Sequence, residues 1–176
     1  MTEVEVKFRL NGLEEMEGRL RDLGCAIGPP VRQTSMLLDR MDGSLRQAGR
    51  TLRVRLSDDL LELAAKAPGE GDGRVAKVRE EREVEVVGGT RELLELLAIL
   101  EYRVTLVYHR ERRTCHLDGV TVCLDRMDFG SYMEIEAKSE EDLRVACRRL
   151  GLDPADGDSR SYPELQRLHS SGKANS

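Results

Sequence analysis

The sequence has no tryptophan, and phenylalanine and tyrosine together make up only 3% of its 176 residues. General nucleic-acid binders need a basic surface and aromatic side chains that stack on bases, whereas this chain has a net charge of −5. We therefore predict that it binds no nucleic acid. Any anionic ligand must be met by a local group of basic side chains.

The cysteine spacings of metal and disulfide frameworks are also missing. The four cysteines form no Cys-x-x-Cys pair, and the three histidines have no zinc-site spacing relative to them. We expect Cys25, Cys115, Cys123 and Cys147 to be reduced structural thiols in a cytoplasmic protein.

Long apolar runs are absent as well. None approaches the roughly 18 residues that indicate a membrane span, and we find no basic-then-apolar leader, so we expect no membrane contact. With 39% hydrophobic residues, the length suits one domain with a buried core, at residues 1–168. Residues 169–176, HSSGKANS, have nothing to pack with and are predicted to form a disordered tail.

Three segments carry apolar residues at helical spacing. They predict helices over residues 13–23, 91–100 and 140–150. Asn11 is expected to cap the first helix and Ser139 the third, because both side chains accept hydrogen bonds from orphan backbone N–H groups.

Nearly everything else between residues 2 and 138 alternates with a period of two, which predicts about eight strands. The alternating segments are VEVKF, TLRVRL, LELAAK, VREEREVEV, YHRERRT, VTVCLD and MEIEAK. The gap APGEGDGR at residues 67–74 matches no phosphate-binding glycine pattern and is interpreted as a mobile loop.

A short internal similarity suggests a duplication. TEVEV at residues 2–6 recurs approximately as REVEV at residues 82–86, and each copy is followed by a helix and more strands. We predict two similar halves, at about residues 1–78 and 79–168.

The charges occupy one face of most strands, alternating with apolar residues. An open sheet with a wet charged face would explain this, and so would a closed barrel with the charges inside. Bases and acids nearly balance on the proposed inner face. The bases are Lys7, Arg9, Arg53, Arg55, Lys66, Arg79, Arg110 and Arg112, and the acids are Glu3, Glu5, Glu81, Glu83, Asp125, Glu134 and Glu136.

These motifs resemble the CYTH superfamily, the triphosphate tunnel metalloenzymes that include class IV adenylate cyclases and thiamine and inorganic triphosphatases. The Glu-x-Glu-x-Lys of Glu3, Glu5 and Lys7 matches the family hallmark. Further motifs follow in the family's order: LRVRL, LAAK, Arg79-x-Glu81-x-Glu83, Arg110-x-Arg112, LD ending at Asp125, and EIE from Glu134 to Glu136. The chain departs from the family at Arg110, where Lys is common.

The resemblance implies an α+β fold, a closed eight-stranded antiparallel barrel with helices packed outside. It implies basic side chains that bind a nucleoside, inorganic or organic triphosphate, namely Arg53, Arg55, Lys66, Arg79, Arg110 and Arg112. It also implies Mg²⁺ or Mn²⁺, bound by the carboxylates of Glu3, Glu5, Asp125, Glu134 and Glu136. Helices outside the barrel leave surface for a homodimer.

Lys7 is our candidate catalytic residue. A pKa lowered by neighbouring cations would let it help to deprotonate the nucleophile, and the alternative is direct contact with phosphate. DSRSYPEL at residues 158–165 resembles a segment of class IV adenylate cyclases, so we expect ATP to be converted to cyclic AMP and pyrophosphate. Hydrolysis of a terminal phosphate, or binding without turnover, are the alternatives.

Overall fold

The structure, a computed structural model, describes residues 2–58, 60–69 and 77–173. Its strands are β1 (Thr2–Leu10), β2 (Val31–Asp39), β3 (Thr51–Ser57), β4 (Leu60–Pro68), β5 (Lys77–Glu85), β6 (Arg103–Leu117), β7 (Val120–Met127) and β8 (Gly130–Ala137). Its helices are α1 (Glu14–Asp22), α2 (Ser44–Gln47), α3 (Thr90–Ile99), α4 (Glu140–Arg149) and α5 (Tyr162–Lys173). No helix in the described part of the chain is long and apolar enough to cross a membrane.

The strands hydrogen-bond in the order β1-β5-β4-β3-β2-β6-β7-β8, which closes on itself. The described registers are antiparallel throughout. The predicted α+β fold with a closed eight-stranded antiparallel barrel is confirmed. Closure satisfies the backbone groups that an open sheet would leave at its edges.

Strand β2 was not predicted from the sequence. Its segment VRQTSMLLD carries charge only at Arg32 and Asp39, so it lacks the charged alternation of the other strands. It pairs with β3 all the same, with Leu37 opposite Arg53. This strand is therefore identified by its pairing with β3 and not by a sequence pattern of its own.

The chain divides into two compact units. The first contains β2, β3, β4, α3, most of β5 and the start of β6 up to His109. The second contains β1 from Glu3, α1, β7, β8, α4, α5 and the rest of β6 from Arg110. The predicted duplication into halves 1–78 and 79–168 stays a prediction.

The second unit buries its apolar core between helices and the apolar face of its strands. Val4, Val6 and Phe8, the even residues of β1, belong to this core. Buried side chains of β7, β8, α1 and α4 complete it, including Leu20, Val122, Leu124, Met133, Ile135, Leu143 and Leu150. Because side chains alternate along a strand, the odd residues of β1 lie on the opposite, charged face.

The first unit has a smaller core of its own. It consists of Leu38, Val54, Leu61 and Leu97, from β2, β3, β4 and α3. Partly buried apolar residues of α3, including Leu93 and Leu94, pack against it. The helix therefore covers the apolar face of this part of the sheet.

The three predicted helices are present, and each end lies within one residue of the one expected. Ser139 accepts a hydrogen bond from the backbone N–H of Asp142 at 3.2 Å, as predicted. The predicted Asn11 cap is wrong: α1 begins after Leu13, which makes no side-chain cap. Acidic residues in the first turn of α1, such as Glu14, interact favourably with the helix dipole there instead.

The C-terminal part is more ordered than expected from the sequence. A short 3₁₀ helix at Pro154–Asp156 and α5 were not predicted, and α5 continues to Lys173. The start of the expected tail is thus helical, and His169 lies 6.2 Å from Phe129 between ring centroids. Of the predicted loop at 67–74, residues 70–74 lie outside the described residues, as do residues 174–176 of the tail.

We expect Gly157→Ala to lower the free energy of unfolding by about 1–3 kcal/mol. A Cβ at this position would overlap Val6 Cγ2 and lie 3.0 Å from the backbone oxygen of Pro154, and neither neighbour is a flexible chain end. Gly18→Ala is the matched control, because no atom lies within 4 Å of a Cβ there. In the middle of α1 this change should stabilise by about 0.5–1 kcal/mol. Urea denaturation of both variants measures the difference, and equal effects would contradict the packing around Gly157.

Candidate active site

Charged side chains from the facing positions of β1, β7 and β8 are buried. Lys7 is 2% exposed, Asp125 is 0% exposed, and Glu5 and Glu134 are also buried. An open sheet with a solvated charged face is therefore wrong for this part of the chain. Buried ions lose several kcal/mol of hydration each, so each needs a close partner of opposite charge.

Lys7 is held between two carboxylates. Its Nζ lies 2.5 Å from Glu134 Oε1 and 3.1 Å from Glu5 Oε1. The strand register explains the first contact, because Lys7 lies directly opposite Glu134 in the β1–β8 pair. The side chains of directly opposite residues are close neighbours in an antiparallel pair.

The environment of Lys7 contradicts the lowered pKa on which its proposed catalytic role depended. Burial alone lowers the pKa of Lys7, but the charges of Glu134 and Glu5 outweigh it and raise this pKa above its usual value. The lysine is therefore held in its charged form. A charged lysine binds phosphate oxygens well and is a poor proton acceptor, so the alternative role of phosphate contact is favoured.

Arg112 joins three carboxylates, of which those of Asp125 and Glu134 are buried and that of Glu136 is half-buried. Its Nε and Nη2 donate to Asp125 Oδ1 and Oδ2 at 2.7 and 2.6 Å, and its Nη1 donates to Glu136 Oε1 at 3.2 Å. Its Nη2 also donates to Glu134 Oε2. The bidentate contact with Asp125 follows from the register, in which Arg112 lies opposite Asp125.

The pKa values of these carboxyl groups follow their partners. Burial alone would raise the pKa of Glu134, but Lys7, Arg112 and Arg110 lower it well below its usual range. Arg112 and Arg110 likewise outweigh burial and lower the pKa of Asp125. For Glu136 burial dominates over the nearby arginine, and its pKa is raised.

Arg110 lies beside these pairs at a greater distance. Its Nη1 is 3.7 Å from Asp125 Oδ2 and 4.0 Å from Glu134 Oε2. Its guanidinium carbon lies 5.9 Å from the centroid of the Tyr162 ring. We give the name second-unit cluster to seven residues, of which Arg112 and Glu136 are half-buried and the others buried: Glu5, Lys7, Arg110, Arg112, Asp125, Glu134 and Glu136.

Tyr162 is part of the second-unit cluster's surroundings and was not predicted as a site residue. Its hydroxyl donates to Asp125 Oδ2 at 2.5 Å, and Lys7 Nζ lies 5.2 Å from its ring centroid. Burial raises the pKa of Tyr162 well above its usual value, so the hydroxyl stays protonated. The only sequence signal for this residue was the resemblance of DSRSYPEL to a cyclase segment.

A second group of ion pairs lies within the first unit. Arg53 Nη2 is 2.8 Å from Glu83 Oε2 and 3.3 Å from Glu81 Oε1. Lys66 Nζ is 2.6 Å from Glu81 Oε2, and Arg55 Nη1 is 3.6 Å from Glu62 Oε2. We call these residues, Arg53, Arg55, Glu62, Lys66, Glu81 and Glu83, the first-unit cluster. Glu62 was not predicted as a site residue.

Two other predicted basic residues, Arg79 and Arg9, have different surroundings. Arg79 is half-buried, and its Nη1 donates to Thr51 Oγ1 at 3.4 Å. Arg9 lies on the same face of β1 as Lys7, but it is exposed where Lys7 is buried. It lies opposite Tyr132 near the end of β1, where a long cationic side chain reaches water.

All four cysteines are buried free thiols. Burial raises the pKa of Cys123 to about 12 and those of Cys115 and Cys147 to about 11. At neutral pH these three groups are protonated thiols, which are poor nucleophiles and poor metal ligands. The structure thus gives them no role beyond packing.

The sequence was compared with models of known families. The model of the CYTH domain matches residues 1–162, nearly the whole chain and every described residue of both clusters. The chain belongs to the CYTH domain family. Members of this family are generally enzymes, adenylyl cyclases or triphosphatases.

Solved structures similar to this CYTH domain agree with its fold. The PH1819 protein of Pyrococcus horikoshii OT3 is 25% identical, with a TM-score of 0.79 over 94% of this chain and 98% of its own. A Vibrio parahaemolyticus protein provisionally named an adenylate cyclase is 17% identical, with a TM-score of 0.77 over 95% and 98%. An adenylyl cyclase candidate from Hippeastrum, in which triphosphatase activity dominates, is 18% identical, with a TM-score of 0.64 over 97% and 96%. No curated protein matches the sequence.

The predicted metal ligands of this CYTH domain are paired with cations. Glu5, Asp125, Glu134 and Glu136 contact Lys7 or Arg112, and the side chain of Glu3 lies outside the described part. Among the described residues, no three or more Asp, Glu, His or Cys side chains are arranged to hold a metal ion. In donor chemistry, as distinct from this arrangement, the set fits Mg²⁺ or Mn²⁺, because it consists of carboxylate oxygens, three of which now converge on the Arg112 guanidinium.

Proposed function

We propose that this CYTH domain is a metal-dependent enzyme that breaks a phosphoanhydride bond of a triphosphate. The observation that carries the proposal is the second-unit cluster, in which three bases and four acids, five of these residues buried, share one site. A purely structural core is as stable with apolar residues in such positions, and often more stable. A triphosphate bound together with a divalent cation gives this arrangement a use. The phosphate oxygens can replace the carboxylates as partners of the bases, and the cation can replace the bases as partner of the carboxylates.

The bases of the second-unit cluster bind phosphate oxygens in this proposal. A triphosphate carries about four negative charges near neutral pH, so several cations must compensate it. Arg112 and Arg110 present forked donors, and Lys7 presents a point charge held in its protonated form. Arg53, Arg55 and Lys66 of the first-unit cluster are proposed to exchange their carboxylates for phosphate in the same way, and Arg79 is a further candidate.

Glu5, Asp125, Glu134 and Glu136 would hold Mg²⁺ or Mn²⁺, with Glu3 added from the family resemblance. A bound ion would neutralise charge on the phosphate oxygens and orient them. The chain's own bases then keep the phosphorus in line between the entering and the leaving oxygen. The Lys7 and Arg112 charges stabilise the negative charge that grows on the leaving oxygen.

Cyclisation of ATP is the first reaction to test. The ribose 3′-oxygen would attack the α-phosphorus, the bond from that phosphorus to the β-bridging oxygen would break, and pyrophosphate would leave. The hydroxyl proton passes to water. The supporting observation is that Tyr162, in the segment that resembles class IV cyclases, makes a direct hydrogen bond to Asp125 in the second-unit cluster.

Hydrolysis of the terminal phosphate is the second candidate. Water would attack the terminal phosphorus and the diphosphate would leave. The supporting observation is that the aromatic rings near the second-unit cluster are buried against one another, so they offer no face for a nucleobase. Phe129 and Tyr132 are 5.9 Å apart, and Tyr132 and Tyr162 are 5.5 Å apart.

The test is incubation of the purified protein with Mg²⁺ or Mn²⁺ and either ATP or tripolyphosphate, followed by chromatography of the products. Glu134→Gln is expected to lower turnover by about 100-fold or more, because it removes a buried charge at the centre of the second-unit cluster. Glu14→Gln, on the exposed side of α1, is the matched control and should keep wild-type turnover.

The products decide between the candidates. Cyclic AMP with pyrophosphate, lost in Glu134→Gln, identifies the cyclase. Orthophosphate from tripolyphosphate without cyclic AMP identifies the triphosphatase. If neither product forms but tripolyphosphate still raises the melting temperature, the proposal of an enzyme is contradicted and the chain is a triphosphate-binding protein.

A further inference from the structure

The C-terminal helix α5 places its first residue against the second-unit cluster. The Tyr162 side chain is buried, and its hydroxyl donates to Asp125 Oδ2. The same oxygen accepts a hydrogen bond from Arg112 Nη2, and Asp125 Oδ1 accepts one from Arg112 Nε. One oxygen of Asp125 thus has two donors and the other has one.

The two donors to Asp125 respond differently to a triphosphate. Arg112 is charged, so under the proposed function phosphate oxygens compete with Asp125 for its N–H groups. Tyr162 is neutral and comes from a different part of the chain. An incoming phosphate therefore attracts its hydroxyl much less strongly than it attracts the charged Arg112. Its hydroxyl continues to hold Oδ2 after Arg112 has turned to phosphate, and the carboxylate keeps its orientation with Oδ1 available to a cation.

The segment before Tyr162 is anchored well enough to fix the hydroxyl. The backbone N–H of Lys7 donates to Asp158 O at 3.1 Å, and the N–H of Asp158 donates to Lys7 O at 2.6 Å. Glu164 Oε2 accepts hydrogen bonds from both the backbone N–H and the hydroxyl of Ser161. The first pair of hydrogen bonds holds the chain four residues before α5 on β1, the strand that carries Lys7, and the second pair fixes the first turn of the helix.

The ring of Tyr162 is held independently of its hydroxyl. It packs against Tyr132 at 5.5 Å in an edge-to-face arrangement, and Lys7 Nζ and Arg110 lie near its face. These contacts need only an aromatic ring, so phenylalanine keeps them. Removing the hydroxyl alone therefore isolates its effect on Asp125.

We propose that Tyr162 is a positioning residue, whose hydroxyl orients Asp125 for divalent metal binding when Arg112 is engaged by phosphate. This inference rests on the proposed function, since it assigns Asp125 to the metal. Outer donors that orient a ligating carboxylate typically contribute about 10- to 100-fold in metal affinity.

The test compares Tyr162→Phe with Tyr132→Phe in the full chain. Both changes remove one hydroxyl from a buried ring of the same aromatic pair, but only the first removes a described donor to Asp125. Mn²⁺ binding in the presence of tripolyphosphate is measured by calorimetry and by Mn²⁺ electron paramagnetic resonance. Tripolyphosphate binding is measured at saturating Mn²⁺, and folding by circular dichroism.

We expect Tyr162→Phe to weaken Mn²⁺ binding by about 10- to 100-fold, with unchanged tripolyphosphate binding at saturating Mn²⁺. Tyr132→Phe should bind Mn²⁺ like the wild type. Equal Mn²⁺ affinity of wild type and Tyr162→Phe, equal losses in both variants, or an unfolded Tyr162→Phe would each overturn the inference.

Failure of the proposed function would give different results from failure of the Tyr162 inference. A wild-type chain that binds no Mn²⁺ beside tripolyphosphate would overturn both proposals. A wild-type chain that binds Mn²⁺ through Tyr162-oriented Asp125 but turns over neither ATP nor tripolyphosphate would overturn the enzyme alone.

Discussion

Replacing Arg112 with methionine should lower the free energy of unfolding by about 3–5 kcal/mol and abolish turnover. The guanidinium contacts Asp125, Glu134 and Glu136, and the first two carboxylates are buried where water compensates them poorly. Methionine fills a similar volume but supplies no charge and no donor. The large cost therefore comes from the acids left without Arg112, rather than from a cavity.

The neighbouring Arg113 is the matched control for this change. It lies on the other face of β6, where its Nη1 contacts Glu17 Oε1 at 2.9 Å, and its side chain is 29% exposed. Arg113→Met should cost about 1 kcal/mol or less, as for partly exposed pairs. Arg112→Lys should recover only part of the loss, because an ammonium cannot make the bidentate contact with Asp125. Urea denaturation in EDTA measures all three variants, and similar values for Arg112→Met and Arg113→Met would contradict the ion-paired second-unit cluster.

Replacing Lys7 with methionine should be comparably destabilising, by about 3–5 kcal/mol. Lys7 is 2% exposed and is the described cation between Glu5 and Glu134. Arg9→Met, two residues along the same strand face, is the matched control. Because Arg9 is exposed, its replacement should change stability by no more than about 0.5 kcal/mol. If both replacements changed the free energy of unfolding by the same small amount, water would reach Lys7 as it reaches Arg9, which would contradict the burial of Lys7.

The contribution of Lys7 should also depend on pH in a defined direction. Its carboxylate partners raise its pKa in the folded state, so the folded chain holds this proton more tightly than the unfolded chain does. The stability difference between wild type and Lys7→Met should therefore be constant at neutral pH. It should shrink only as the pH rises past the unfolded value of about 10.4. Metal-free denaturation curves from pH 7 to 11 test this, and a difference that shrinks between pH 7 and 9 would contradict it.

The double variant Lys7→Met/Glu134→Gln separates the loss of a pair from the loss of one partner. Removing both charges leaves no unpaired ion at the centre of the pair, so part of the stability lost in Lys7→Met should return. Glu5 and Arg112 still lack their usual neighbours in this variant, so the recovery is partial. A double variant less stable than Lys7→Met would contradict the direct pairing of Lys7 with Glu134.

Much of the secondary structure followed from local patterns. The alternation in VEVKF, TLRVRL and MEIEAK predicted strands with one apolar and one charged face, and the structure has both faces. Helices α1, α3 and α4 followed from apolar residues at helical spacing. The missed elements include β2, which lacks the charged alternation of the other strands, and α5, whose Tyr162 side chain is held by Asp125 of β7, far away in the sequence.

The candidate site was predictable only in part. The motif order identified the residues of both clusters except Glu62, but not which acid pairs with which base. Glu62 was missed because it belongs to no recognised motif. Tyr162 was missed because the recognised cyclase-like segment that contains it gave it no role. Both are defined by a contact: Glu62 with Arg55, Tyr162 with Asp125. The lowered pKa expected for Lys7 was wrong because its nearest charges are carboxylates, and the register of β1 with β8 sets them there.

The sequence by itself determined which residues share a face of each strand, because side chains alternate with a period of two whatever the partner strand is. It also determined the family, through the order of charged motifs along nearly the whole chain. Only the tertiary structure decided that the charged face of β1, β7 and β8 is buried, and which acid pairs with which base. Burial and pairing depend on strand order and register, which bring together residues far apart in the chain and remove the water that would otherwise compensate their charges.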